Sequence, residues 1–261
     1  MGHDIFADGL GPAIALSIDW IGQPVRSRFM ACANPHSLVV AERDPAFKEA
    51  LRSADILTPD GVGVTMAARL LGTPVEERVV GYDYFVGLTS ELSRRGGARY
   101  FFLGASEATL EAIIRRLERE FPLIRVCGVH SPPFRERFTF AENSQMVEAV
   151  NLAQPDVLWV GMTAPKQEKW VLANRESLNV PLIGAIGAVF DFYAGIVPRA
   201  PRIFQHLGFE WFYRLIREPS RLWERNFVST PLFLMNVARE ALARIFRPAS
   251  YAASRKPRRC S

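Results

Sequence analysis

From residue 29 onward, short apolar runs of strand length alternate with amphipathic stretches of helical length. That alternation predicts an α/β fold on a largely parallel, Rossmann-like sheet. Strands buried on both faces read as near-continuous apolar runs, while the helices that cover them show a 3.6-residue period. The predicted strands cover residues 13–18 (AIALSI), 29–33 (FMACA), 54–58 (ADILT), 98–103 (ARYFFL), 123–128 (LIRVCG), 156–161 (DVLWVG) and 181–186 (PLIGAI). Helices are predicted near 36–52, 62–71, 82–95, 106–120, 143–153 and 165–177. The helix at 106–120 opens on Ser106, a good N-cap, and closes before Pro122.

In such folds the loops beyond the carboxyl ends of the strands converge on one crevice. Five polar or glycine-rich segments fall there: ANPHS, PDGVG, GAS from Gly104, GMTAPKQE from Gly161, and GAVFD from Gly187. Together they predict a pocket for a nucleotide or a phosphate. After residue 196 the character changes to a dense mixture of Arg, aromatic and Leu residues. The predicted organisation is therefore a catalytic or binding core over 1–195, a basic aromatic helical appendage over 196–247, and a basic tail over 248–261 that cannot bury a core.

A chain of 261 residues that is 49% hydrophobic can fill a core of one large domain or two small ones. No uninterrupted apolar run reaches the length of a membrane span, and MGHDIFADGLGP lacks the pattern of a secretion signal, so a cytosolic protein is expected. Cys32, Cys127 and Cys260 are unpaired in spacing and odd in number, which points to reduced thiols. The net charge of +5 invites an anionic partner. Its concentration in the appendage and tail argues against nucleic acid, which needs a basic patch on the folded body.

Within GVGVTM, Gly61 and Gly63 begin a dinucleotide fingerprint, but Met66 stands where its third glycine belongs. The four histidines are scattered, and no metal-ligand spacing is present. Asp60, between Pro59 and Gly61, reads either as a turn residue or as a carboxylate lifted above the sheet edge for chemistry. Pro165 suits the first turn of a helix, which puts Lys166, Gln167 and Glu168 at a helix start whose amides could hold a diphosphate. Arg214, Arg217, Arg221 and Arg225 would share one helical face, interrupted by Pro219, with Trp211, Phe212, Trp223 and Phe227 at its apolar boundary. TPLFLMNVAREALARIF continues as an amphipathic stretch suited to a membrane surface or to a second subunit.

The stretches ANPHSLVVAERDPAFKEALRSADILTPDGVGVTMAARLLG, ERVVGYDYF, FFLGAS, WVGMTAPKQEKW and IGAIGAVFDFYAGIVPRAPRIFQHLGFEWFYRLIREPSRLW resemble, in order, the WecG/TagA/CpsF family of bacterial glycosyltransferases. The resemblance implies an inverting, metal-independent transfer of a sugar from a UDP-sugar to a polyprenyl-diphosphate-linked saccharide. It places the reaction at the inner face of the cytoplasmic membrane, with no cofactor. It further implies Asp60 as general base, Gln167 as a contact to the donor sugar or its phosphate, and Asn34 as a residue that seats the sugar. Cys32 stands where relatives commonly carry threonine, which puts a hydroxyl contact in doubt. Gly187 and Asp191 would lie near the uracil or ribose, and Asp83 would orient the acceptor. Arg199, Arg214 and Arg221 fall in matching stretches of the appendage, where arginine would replace a metal in stabilising the leaving UDP. A non-catalytic nucleotide-sugar or anionic-lipid binding module is the alternative, and a homo-oligomer is compatible with either.

Overall fold

A computed structural model describes residues 2–23, 27–197 and 223–245. At its centre lies a sheet of six strands, all parallel: β1 (Arg28–Ala33), β2 (Ile56–Pro59), β3 (Ala98–Gly104), β4 (Ile124–His130), β5 (Val157–Gly161) and β6 (Leu182–Ala185). Their order across the sheet is β2-β1-β6-β5-β3-β4. The α/β expectation therefore holds.

Side chains alternate between two cores, as a period of two requires. Phe29, Ala31, Ala33, Phe101, Leu103, Leu158, Val160, Ile183 and Ala185 enter one cluster. Met30, Tyr100, Phe102, Val157, Trp159 and Leu182 enter the other. The first face is covered by α2 (Pro35–Arg43), α3 (Pro45–Arg52), α7 (Phe140–Ala153), α8 (Lys166–Asn174) and α10 (Thr230–Ile245). The second is covered by α1 (Leu10–Ile21), α5 (Gly81–Arg94), α6 (Glu107–Glu120) and α9 (Val189–Ala194). Right-handed crossovers assign the helices to faces. Moves toward β2 run over the first face; the move from β2 to β3 starts with the helix Val62–Leu70 on the first face and then crosses to α5 on the second, and β3 to β4 runs over the second through α6. β3 leads outward through α6 and β5 leads back through α8, so the connections diverge between β3 and β5, where Gly104 pairs with Gly161. A ligand crevice is expected at that switch point.

The stretch at 13–18 is helical, a correction to the predicted strand. It lies inside α1, where Ala13 and Ser17 are buried one turn apart and the Ser17 hydroxyl is 2.5 Å from that of Tyr84. Periodicity alone cannot separate a short apolar run in a strand from a helix, and the flanking Leu10 and Trp20 extend this one to helical length. The helix predicted over 36–52 is two helices. Asp44 ends α2, caps α3 through the Phe47 amide, and is followed by Pro45, which has no N–H to continue the first helix. The Ser106 cap forms as expected, its hydroxyl oxygen accepting from the Thr109 amide.

The amphipathic C-terminal stretch forms α10, and its burial is on its own chain. Phe233 is 1% exposed and packs, with Val237, into the cluster of the first face. The Phe233 ring lies beside Gly63 of α4 (Val62–Leu70), and Ser229, just before α10, has its hydroxyl 2.8 Å from His36 Nδ1 on α2. Burying a Phe side chain contributes about 1.5–3 kcal/mol, which is enough to hold a helix of this length in place.

Candidate active site

Five loops rise from the carboxyl ends of the strands, and register aligns their starting points. Ala33 pairs with Pro59, Ala31 with Ala185, Val160 with Ala185, and Gly161 with Gly104. From β2 to β5 is three interstrand steps of about 4.8 Å, so the crevice floor is roughly 14 Å wide at the backbone. Asp60, Asn34, Gly187, Gly161 and Gly104 all stand on this edge, as the sequence predicted.

At the β2 end, the Asp60 amide donates to Ala33 O at 2.7 Å, which fixes the turn directly above the β1–β2 pair. Gly61 follows with φ +114°, a conformation costly for any residue with a Cβ. Asp60 is half-buried. Its carboxylate is close enough to Cys32 to act on that thiol: burial first, then Asp60, then Glu168 push the Cys32 pKa far up, against a hydrogen bond from Thr58. Cys32 is therefore a neutral thiol. It fits against α5 because Gly81 has no side chain: a Cβ there would lie 3.2 Å from Cys32 Sγ. Asp83 follows in the first turn of α5. Sequence reasoning did not find Gly81 or Thr58, whose relation to Cys32 exists in three dimensions alone.

Asn34 has a structural task that the sequence reading missed. Its Oδ1 accepts from the Ser37 amide, and Ser37 Oγ accepts from the Asn34 amide, forming a capping box at the start of α2. The sequence ANPHS carries the signal, a cap residue directly before a proline. With Oδ1 so engaged, the side-chain NH2 is the part of Asn34 left to serve a ligand.

On the β5 side, Pro165 is the N-cap position of α8 and Lys166 its first residue, one place later than predicted. The helix start differs from the expected anion site in a second way. The amides of Lys166 and Gln167 both donate to Thr163 O, at 3.1 and 3.2 Å. Those donors are already used. The Lys166 ammonium donates to Arg135 O and lies 3.9 Å from the centre of the Phe138 ring. The Lys166 and Gln167 amides are thus bound within the chain, while Lys166 has one of its three N–H donors on Arg135 O.

Gln167 and Glu168 are the buried polar groups of this corner, at 5% and 2% exposure. Gln167 Nε2 donates to Glu168 Oε1 at 2.8 Å. Gln167 Oε1 and Glu168 Oε2 have no hydrogen-bond partner among the described residues. Burial raises the Glu168 pKa from 4.5 to about 7, against the hydrogen bonds from Gln167 and its own amide. Across the crevice, Gly187 adopts φ +44°, and a Cβ there would meet Gln167 Oε1 at 3.1 Å. Asp191 lies in the first turn of α9, four residues on.

Just after Asp60, α4 carries an exposed apolar stripe. Val62, Met66 and Leu70 recur every fourth residue along one face of α4, and Met66 and Leu70 are 62% and 66% exposed. Leu234 and Met235 of α10 are exposed as well. Arg199, Arg214 and Arg221 lie outside the described residues, as does most of the basic aromatic stretch. Trp223 and Phe227, at its end, are exposed with ring centres 4.3 Å apart. Among the described residues, no three His, Cys, Asp or Glu side chains form a metal-binding group, and no helix is long and apolar enough to cross a membrane.

Comparison with known proteins decides the family. Residues 9–247 match the model of the glycosyl transferase WecG/TagA/CpsF family. The chain belongs to that family. It is 30% identical over 218 residues to an N-acetylglucosaminyldiphosphoundecaprenol N-acetyl-β-D-mannosaminyltransferase of Bacillus spizizenii, covering 84% of this chain and 81% of the relative. The enzyme of the same name from Bacillus subtilis is 30% identical over 211 residues, 81% of this chain and 79% of the relative. That from Staphylococcus aureus is 27% identical over 217 residues, 83% and 82% of the two chains. As a member of this glycosyltransferase family, the chain matches through the α/β body and on through α10.

Proposed function

We propose that the chain transfers a sugar from a UDP-sugar to a saccharide carried on polyprenyl diphosphate, with inversion at the anomeric carbon. The observation that carries this reading is the position of Asp60. Its half-buried carboxylate stands at the crevice edge, beside the partly buried Cys32 thiol and at the start of the apolar α4 stripe. In the proposed reaction the acceptor hydroxyl attacks the anomeric carbon from the face opposite UDP. The new C–O bond forms as the bond to the UDP oxygen breaks, and the hydroxyl proton passes to Asp60. General-base assistance of this kind supplies about 10² to 10⁴ in rate. Asn34, through its NH2, and Gln167 contact the donor sugar, with Gly187 and Asp191 toward the nucleoside and Asp83 toward the acceptor.

The relatives' names supply the first substrates to test: N-acetylmannosamine as the transferred sugar and N-acetylglucosaminyl-diphosphoundecaprenol as the acceptor. An acceptor with a long apolar tail suits the exposed stripe of Val62, Met66 and Leu70. In this reading residues 1–195 hold the donor. The segment 196–247 brings the acceptor and the inner membrane face to the crevice, and the tail 248–261 adds attraction to anionic lipid. Arg199, Arg214 and Arg221 offset the charge that develops on the departing UDP, without a metal.

The test is UDP release by purified protein from UDP-N-acetylmannosamine, its uronic acid, UDP-glucose, UDP-glucuronate and UDP-N-acetylglucosamine, with and without the lipid acceptor, in EDTA. Release that needs the acceptor, is confined to one donor and survives EDTA is expected. Absence of acceptor-dependent release from every donor would contradict the proposal.

A further inference from the structure

The dry corner at β5 and β6 has a polarity that the family resemblance does not supply. Gln167 Nε2 donates to Glu168 Oε1 at 2.8 Å, which directs the Gln167 NH2 toward the Glu168 carboxyl. That leaves Gln167 Oε1 facing the loop after β6, within 3.1 Å of the place a Gly187 side chain would start. Glu168 Oε2 is the second oxygen here without a partner among the described residues. Buried polar atoms are nearly always paired, because an orphan costs about 1–3 kcal/mol. Two orphaned oxygens on adjacent residues, more than nine-tenths buried, therefore mark a place where hydrogen-bond donors arrive.

We infer that Glu168 is a positioning residue that locks the Gln167 amide with its oxygen toward the loop after β6, so that this corner reads a hydroxyl or amide N–H of the transferred sugar and not the diphosphate. Phosphate oxygens at neutral pH are acceptors, and the Lys166 and Gln167 amides that would otherwise serve them donate to Thr163 O. A sugar hydroxyl or an acylamino N–H supplies the missing donor. The inference rests on the crevice being the UDP-sugar site.

Binding measured by calorimetry on the full chain tests it, with UDP and the parent UDP-sugar as the two probes. Glu168→Ala frees the amide to turn, so UDP-sugar affinity should fall about 10-fold while UDP affinity stays within about 2-fold. Glu168→Gln keeps an acceptor oxygen for the Gln167 NH2 and should restore most of the loss, a rescue that a general packing defect would not show. Equal weakening of UDP and UDP-sugar would overturn the inference by placing the pair on the diphosphate, and unchanged binding of both would overturn it by removing Glu168 from the site. On wild-type protein, which avoids any folding defect, UDP-sugars lacking one hydroxyl or the acylamino group at a time should reveal one substituent whose loss weakens binding about 10-fold. A series in which every analogue binds like the parent contradicts the inference. Wild-type protein that binds neither UDP nor any UDP-sugar would instead remove the donor-site reading on which it stands.

Discussion

The two ends of the crevice are built on opposite principles. At the β2 end, Asp60 sits half-buried on a turn pinned by a backbone hydrogen bond, beside apolar surface on α4 and α10. At the β5 end, Gln167 and Glu168 are enclosed, bonded to each other, and left with two oxygens unpaired among the described residues. Under the proposed reaction, the first arrangement would let a carboxylate meet a large acceptor and release a proton to water. The second costs folding energy and gives geometry in return, since an amide held in one orientation within a low-dielectric corner discriminates between donors and acceptors. In the proposed reaction, catalysis and recognition fall to different ends, and each end should fail in its own way.

The most severe way to break the contrast is to end the chain at residue 197. That removes α10, and with it Phe233 and Val237 from the core cluster over α2 and α4. Transfer to a lipid acceptor should fall by about 10²-fold or more, the scale of lost substrate positioning, while calorimetry still detects UDP. Loss of UDP binding as well would show that the two ends are not separable.

The β5 end should announce itself through pH. With its pKa raised from 4.5 to about 7, Glu168 keeps a proton in the folded protein that the unfolded chain has already lost between those values. Its contribution to stability is therefore full below pH 4.5 and is lost as pH rises through 7, by up to about 3 kcal/mol. Urea midpoints of wild type and Glu168→Gln, compared from pH 5 to pH 8, should diverge across that window, with the wild type falling and the variant flat. Parallel curves would mean that Glu168 ionises freely.

Smaller changes sharpen the β2 end. Gly63→Ala would place a Cβ 2.9 Å from Pro35 Cγ, so the first turn of α2 must shift, at about 1–3 kcal/mol. Its effect should appear in acceptor KM before donor binding. Ser229→Ala removes the hydroxyl that meets His36 and should cost about 1 kcal/mol in thermal denaturation, with donor affinity unchanged.

How much of this was legible in the sequence depended on how local its cause was. Strand positions in β1, β2, β3, β4, β5 and β6 followed from apolar runs, and the Ser106 cap from three adjacent residues. The α1 helix was misread because AIALSI satisfies a strand and a helix equally, and its burial against Tyr84 is a tertiary fact. Asp44–Pro45 held a readable break that went unread. At the site, the glycine-rich loops and Asp60 stood out by type. Three things did not: the use of the α8 amides by Thr163, the capping box of Asn34, and the fit of Cys32 against Gly81. Each depends on where a neighbouring loop turns, which residue identity alone does not encode.

The central claim is that Asp60 removes the acceptor proton. Its most direct test is sugar transfer to the lipid-linked acceptor by wild type and Asp60→Asn under single-turnover conditions, with UDP affinity measured on the same preparations. The account predicts a loss of about 10² to 10⁴ in rate with UDP affinity unchanged within about 2-fold. Transfer by Asp60→Asn at the wild-type rate would contradict it and return Asp60 to the role of a turn residue.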